Sequence, residues 1–312
     1  MRFKLLDKSN RSYIMGVAIL WVVLFHSGMF PEFYGIKDVY ILKLFFANGY
    51  LGVDIFIFLS VFGLCHSFKG HSLLTFYKRR FMRLFPMYWV YLAVMVMAFP
   101  MIIGGHNLRF VLLQMTGMAS FFSERIEWYI PFLILIYIAF PLIYRVFVFL
   151  SKKHLVNICV VLTIFLLRWS SKIPMDDYCL DRIPVILLAM QTYQFWDMPE
   201  RYLKTFGWAV LAILLFTNNI ALIFSVLIPV SLFLLSMTDV TLPFYRTFSW
   251  IGKYTLEIYL AQNLAFNQFL QISKLSYWQS MMVCLVIIVG ASIVFHFVQK
   301  FFLELRLSNS GQ

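Results

Sequence analysis

One histidine stands deep in an apolar stretch near the start of the chain. His26 lies between Tyr13 and Phe30 (YIMGVAILWVVLFHSGMF), where an ionisable side chain is costly in a membrane and is by default a functional-site hypothesis. A neutral imidazole can accept the proton of an attacking hydroxyl, and an apolar surrounding disfavours the charged ring. Ser27 is its one polar sequence neighbour, so we expect partners from other helices.

A dense basic segment is the second feature with chemical potential. It reads Lys78-Arg79-Arg80-Phe81-Met82-Arg83, and we predict it within a cytoplasmic loop over 68–83. Arg80 and Arg83 are three residues apart, so on a helical turn they share a face and could clamp one polyanion. A stop-transfer cluster that contacts lipid phosphates explains the same residues.

Four further polar residues fall in or beside apolar runs. Asp54 would be costly against lipid, so we expect it to face the bundle as a partner of His26 or of an arginine, or as a structural carboxylate. Glu127 fits an interface position or a catalytic role. Arg182 could bind an acceptor substrate or an oxyanion. Alternatively, its long side chain could extend to place the charge at the membrane–water interface. Gln262 must face protein.

Composition sets the class. Of 312 residues, 62% are hydrophobic and 13% are charged, and mean hydropathy is +0.82. The fold class is therefore all-α, a polytopic helical bundle forming one integral-membrane domain over 1–312. The net charge of +12 fits a positive-inside excess facing anionic lipid rather than nucleic acid binding. No Gly-rich phosphate loop, nucleophile elbow or metal-ligand spacing occurs in the sequence, so we expect neither nucleotide hydrolysis nor a metal.

The apolar runs predict about ten membrane spans. We place them near 13–30, 48–67, 84–104, 127–150, 155–168, 183–196, 206–217, 219–237, 251–270 and 280–301. Ten spans put both termini on one side, and 18 of the 26 Lys and Arg residues then fall on that side. The positive-inside rule makes that side cytoplasmic.

Six blocks, in order along the chain, resemble the acyltransferase 3 family of integral-membrane acyltransferases. They are MGVAILWVVLFHSG, GYLGVDIFIFLSVFGL, FYKRRFMRLFPMYWV, EWYIPFLILIYIAFPLIY, LDRIPVILLAM and WIGKYTLEIYLAQN. The first resembles the family's opening helix, which ends in its active-site histidine. The third resembles its arginine-x-x-arginine motif before a proline.

The resemblance implies an enzyme of the cell membrane that moves an acyl group onto a hydroxyl. The donor would most often be acetyl-CoA and the acceptor a surface or lipid-linked glycan. His26 would be the catalytic base, and Arg80 and Arg83, with the adjacent Arg79, would bind the donor. We keep Asp54 and Glu127 as further catalytic candidates. Gln262 lies near a position where the family often has a histidine, so the resemblance makes it a candidate contact to the acceptor or the oxyanion.

Two positions depart from the family pattern. Met15 stands where the family usually has an arginine, and Val61 stands where it usually has a glycine. Arg11 lies one helical turn before Met15 on the same face, so we expect its side chain to run along the helix toward the cavity, to supply the missing cation near the histidine and to be a candidate contact to the acceptor or the oxyanion.

Two alternative functions remain at this level. A flippase or transporter of lipid-linked saccharides would also be polytopic and basic on one side, but it predicts internal repeats, and we find no convincing one. A catalytically inactive family member would fit the change at Met15. The sequence names neither the acceptor nor the acyl group.

Overall fold

The computed structural model describes residues 8–28, 47–98, 108–121, 126–152, 179, 182–194, 242–269 and 273–308. All regular structure in these ranges is helical. The nine α-helices are α1 Lys8–Gly28, α2 Leu51–Lys69, α3 Leu73–Ala98, α4 Leu108–Thr116, α5 Tyr129–Lys152, α6 Ile183–Gln194, α7 Tyr245–Ile251, α8 Thr255–Gln262 and α9 Tyr277–Ser308. Short 3₁₀ turns cover Met118–Phe121 and Gly252–Tyr254, and a π-helix covers Asn263–Phe269.

Four of the described helices, α2, α3, α5 and α9, are long and apolar enough to cross a membrane. The all-helical membrane class is therefore confirmed for the described part of the chain. The spans predicted near 155–168, 206–217 and 219–237 lie outside the described residues. The count of ten spans and the cytoplasmic termini stay predictions.

Two boundaries differ from the sequence-based expectation. The loop predicted over 68–83 is wrong, because α3 begins at Leu73 and carries the basic segment on its first turns. Lys and Arg are good helix formers, so a helix can begin well before its apolar part. The Ser72 hydroxyl accepts from the Thr75 N–H at 3.3 Å and caps this start. The span predicted over 251–270 is a 3₁₀ turn, a short α-helix and a π-helix in succession.

Helix α1 is the element around which the site is built. It packs against α2, α7, α8 and the Gly252–Tyr254 turn. A Cβ on Gly16 would lie 1.9 Å from the Phe248 carbonyl oxygen, and one on Gly252 would lie 1.7 Å from the Ser12 carbonyl oxygen. The two backbones touch here because neither glycine has a side chain.

Helices α1 and α2 run antiparallel. Gly52, near the start of α2, lies against Ala18, whereas Gly63, near its end, lies against Arg11. Fifteen residues separate Arg11 from His26 along α1, which is about 22 Å at 1.5 Å per residue. The two candidate residues of this helix therefore lie at opposite ends of the α1–α2 pair.

Candidate functional site

A cavity opens at one end of the bundle, which we call the basic end and define by Arg11, Arg80, Arg83 and Lys253. The cavity holds about 720 Å³ of empty space, including the part that opens to solvent. Residues of α1, α2, α3, α5, α8 and α9 and of the Gly252–Tyr254 turn line it. The predicted pair Arg80 and Arg83 do share one cavity, whereas the exposed Arg79 is not among its lining residues.

The Arg80 guanidinium lies near two aromatic rings, and one of its N–H groups has no hydrogen-bond partner among the described residues. Its guanidinium carbon lies 5.7 Å from the ring centre of Phe76 and 5.9 Å from that of Tyr137. Its Nε is buried and has no hydrogen-bond partner among the described residues. A buried, unpaired donor on a cation is costly, so the site favours an anionic ligand that accepts from it.

Arg11 reaches the same cavity from α1. Its Nη2 donates to the Leu59 carbonyl at 3.0 Å, and Gly63 leaves the room, since a Cβ there would lie 2.8 Å from Nη1. Arg11 precedes the apolar stretch that begins at Tyr13. Burial, and then the charges of Arg83 and Arg80, lower the pKa of Arg11 to about 10. It therefore stays protonated at neutral pH and adds to the positive charge of the cavity.

Among the described residues that line the cavity, one is acidic. Glu257 is buried, and its carboxylate lies 3.5 Å from Nδ1 of the half-exposed His296. Gln299 also lines the cavity and donates from Nε2 to the Arg83 carbonyl at 3.4 Å. The cations of the basic end thus outnumber the carboxylate, which leaves a net positive surface for a polyanion.

Of the four aromatic residues that line the cavity, three pack in sequence against one another, and we call them the aromatic wall: Phe56, Tyr129 and Tyr259. The ring centres of Tyr129 and Tyr259 are 5.0 Å apart, and those of Phe56 and Tyr129 are 6.3 Å apart. Glu127 holds this wall, because one of its carboxylate oxygens accepts from the Tyr129 N–H and from the Tyr259 hydroxyl. Its other oxygen accepts from the Ile130 N–H at 2.7 Å.

Glu127 therefore caps α5 and positions Tyr259. Its carboxylate accepts from backbone N–H groups that the first turn of a helix leaves without partners. Its negative charge also interacts favourably with the positive end of the helix dipole. These contacts give Glu127 a structural role. Its catalytic role stays a prediction.

His26 lies at the other end of α1, which we call the histidine end and define by His26, Asp54 and Arg182. None of the three is among the residues that line the cavity. Nδ1 of His26 lies 2.9 Å from the Val22 carbonyl oxygen. Since a carbonyl can only accept, Nδ1 carries the proton, and Nε2 of a neutral ring is left as the acceptor that a general base needs.

The partner of Asp54 is Arg182. Nε of Arg182 lies 3.0 Å from Oδ1 of Asp54, and both side chains are buried. The guanidinium is flanked by the rings of Trp128 at 5.4 Å and Tyr50 at 5.9 Å. Its Nη1 has no hydrogen-bond partner among the described residues, so one donor of this fixed cation is available.

Gln262 is fully buried on α8. Neither its amide oxygen nor its amide nitrogen has a hydrogen-bond partner in the part of the chain that the structure describes. Across the same residues no group of His, Cys, Asp or Glu could hold a metal ion.

Sequence reasoning missed Lys253, Gln299 and Tyr259 as site residues. Lys253 is more than 160 positions from Arg83, so no local spacing joins them. The one available signal was the helical spacing of Lys253 and Glu257, four residues apart and therefore on one face.

The fold and the cavity define the class as an all-helical membrane protein with a cation-lined cavity among its helices. A family model described as an acyltransferase domain matches residues 13–297, which is most of the chain. The chain belongs to the acyltransferase 3 family. Membership supports acyltransferase activity and confirms the resemblance found in the sequence. No curated protein and no solved structure matches the chain.

Proposed function

We propose that the protein is an O-acyltransferase that moves an acetyl group from acetyl-CoA to a hydroxyl of a surface or lipid-linked glycan. His26 is the general base of this reaction. The chain crosses the cell membrane several times, with its basic end toward the cytoplasm, where the donor is made.

The cation-lined cavity carries this proposal. CoA bears a diphosphate and a further phosphate on its ribose, and Arg11, Arg80, Arg83 and Lys253 offer charge to them from three separate parts of the chain. The free Nε of Arg80 suits a phosphate oxygen, because N–H donors on a guanidinium bind phosphate strongly. A neutral or cationic ligand would gain little from this surface.

The hydrogen bonds of the histidine end support the chemistry that we propose for it. Nε2 of His26 takes the proton of the acceptor hydroxyl while the hydroxyl oxygen attacks the thioester carbonyl. The tetrahedral oxyanion collapses, the carbon–sulfur bond breaks, and the CoA sulfur leaves with the proton held by the imidazolium. Arg182, positioned by Asp54, is the candidate donor to the oxyanion through Nη1. Gln262 is the candidate contact to the acceptor.

The test is donor consumption by the purified full chain in lipid nanodiscs. Free CoA thiol should appear from acetyl-CoA when a glycan acceptor is added, and far more slowly without it. Absence of thiol release with every acceptor, together with normal CoA binding, contradicts transfer and favours an inactive family member. Absence of CoA binding favours a transporter. Mass spectrometry of surface glycans with and without the gene then identifies the acyl group and acceptor.

A further inference from the structure

The donor cavity stops at the aromatic wall along α2 and along α5. Along α2, Ser60 and Phe56 line the cavity, whereas Asp54 already pairs with Arg182. Along α5, the lining includes Tyr137 and Leu133 and ends at Tyr129, the first residue of the helix. The wall therefore lies between the basic end and the histidine end.

Tyr259 differs from the other two rings of the wall in how it is held. Phe56 lies within the long helix α2, and Tyr129 is held at two points, through its backbone N–H to Glu127 and through a side-chain hydrogen bond with Ser60. Tyr259 is bound by its hydroxyl at the tip of the side chain. It lies on α8, a helix of eight residues that continues directly into the π-helix Asn263–Phe269. π-helical turns are frequent at functional sites.

We propose that Tyr259 is the gate between donor and base: its bond to Glu127 holds the ring across the path from the cavity to His26. The ring turns aside when the acyl thioester passes toward His26. This inference rests on the proposed function. Tyr259 and Glu127 act here as positioning residues, because they control which groups reach His26 and take no proton themselves.

The gate can be tested without catalysis, by measuring how fast a reactive donor analogue reaches position 26. In a His26→Cys background, bromoacetyl-CoA places a reactive carbon where the acetyl group of the donor would be. The introduced thiolate attacks that carbon, a carbon–sulfur bond forms and bromide leaves. Peptide mass spectrometry follows the labelling rate at position 26, and equilibrium binding of CoA is measured in parallel.

Adding Tyr259→Phe keeps the ring and removes its bond to Glu127. We expect the labelling rate at position 26 to rise about tenfold, because one hydrogen bond to a charged group no longer holds the ring in place. CoA binding should stay at the parent value. Glu127→Gln, which removes the charge but keeps an acceptor oxygen, should give a smaller rise and serves if Tyr259→Phe does not fold.

Tyr91→Phe is the matched control. Tyr91 is fully buried, and its hydroxyl has no hydrogen-bond partner among the described residues, so its removal should leave the labelling rate unchanged. Unchanged labelling in both Tyr259→Phe and Glu127→Gln, with normal CoA binding, overturns the gate and leaves the proposed function standing. An equal rise in Tyr91→Phe also overturns it, because the effect is then general loosening. Loss of CoA binding in every protein, the parent included, overturns the proposed function and the gate with it.

Discussion

The two ends of the bundle use charge in opposite ways. At the basic end, the exposed side chains of Arg83 and Lys253 stand beside Arg11 and Arg80, and their one carboxylate neighbour is Glu257 among the described lining residues. At the histidine end, the charges of Asp54 and Arg182 are paired with each other, buried and flanked by aromatic rings.

The difference separates binding from positioning. Exposed cations without a carboxylate partner among the described residues, such as Arg83 and Lys253, attract a polyanion and release it again at a low cost of desolvation. A buried ion pair is costly to form and to break, so it holds its groups in one geometry. We therefore expect substitutions at the basic end to change donor affinity, and substitutions at the histidine end to change turnover or stability.

The largest effect should come from His26→Ala. Loss of a general base lowers kcat by about 10²–10⁴-fold, while CoA binding, which we propose for the other end of α1, should be unchanged. Thiol release and equilibrium binding are the two measurements. His71→Ala is the control, because His71 is exposed and bonds locally to the Ser67 carbonyl. Normal turnover in a well-folded His26→Ala protein contradicts the role of His26.

Asp54→Ala should affect stability more than affinity. It leaves the Arg182 guanidinium buried without its carboxylate, and breaking such a pair costs about 3–5 kcal/mol. Thermal unfolding in detergent measures the loss. Glu304→Ala removes one partner of an exposed pair, Lys300 and Glu304 at 3.8 Å, and should change stability little. Equal losses in the two variants would mean that the Asp54–Arg182 pair has no special structural role.

Arg80→Ala and Arg83→Ala should each weaken CoA binding by about tenfold or more, since a charge-assisted contact to phosphate contributes roughly 1.5–3 kcal/mol. Lys at either position should restore binding only in part, because it lacks the planar fork of arginine. Arg79→Ala is the matched control on the same helix turn, exposed and outside the cavity lining. If all three Ala variants bind CoA alike, the basic segment is only a topology signal.

The smallest effect concerns the departure at Met15. Met15 and Arg11 line one cavity, so an arginine at either position can contribute charge to it. We expect Arg11→Ala to weaken CoA binding by several-fold, within the range for one partly solvated contact, and Met15→Arg to restore part of the loss. Met15→Arg alone should keep wild-type turnover. A fully active Arg11→Ala protein would show that Arg11 replaces nothing.

Local patterns predicted the fold class and some of the site. A long apolar run predicts a membrane helix, because a segment in lipid must satisfy its own backbone hydrogen bonds. Helices α2, α5 and α9 begin within a few residues of their predicted starts. The three-residue spacing of Arg80 and Arg83 was enough to predict that they share a site, because helical geometry is local. Hydropathy did not predict the start of α3 at Leu73, because the first turns of this helix carry charged residues.

The remaining contacts join distant parts of the chain. The partner of Asp54 stayed open in the sequence because Arg182 is 128 residues away, and Tyr259 is 132 residues from Glu127. Such pairs depend on how helices pack, which no spacing along one helix encodes. Arg11 is an intermediate case. Its turn toward a cavity was predicted, but it was expected near His26, and the structure places it about 22 Å along α1 from that residue. Its guanidinium contacts Gly63 and Leu59 of α2 at the basic end instead.

The aromatic wall also has an electrical consequence. A water-lined cavity thins the insulating layer of a membrane protein, and each charge that crosses a potential of 100 mV changes free energy by about 2.3 kcal/mol. Phe56, Tyr129 and Tyr259 close one side of the cavity with three rings, so we expect the potential to fall across these rings and the buried Asp54–Arg182 pair beyond them. If the donor enters this cavity as we propose, the same three rings keep protons and small ions from following it across the membrane.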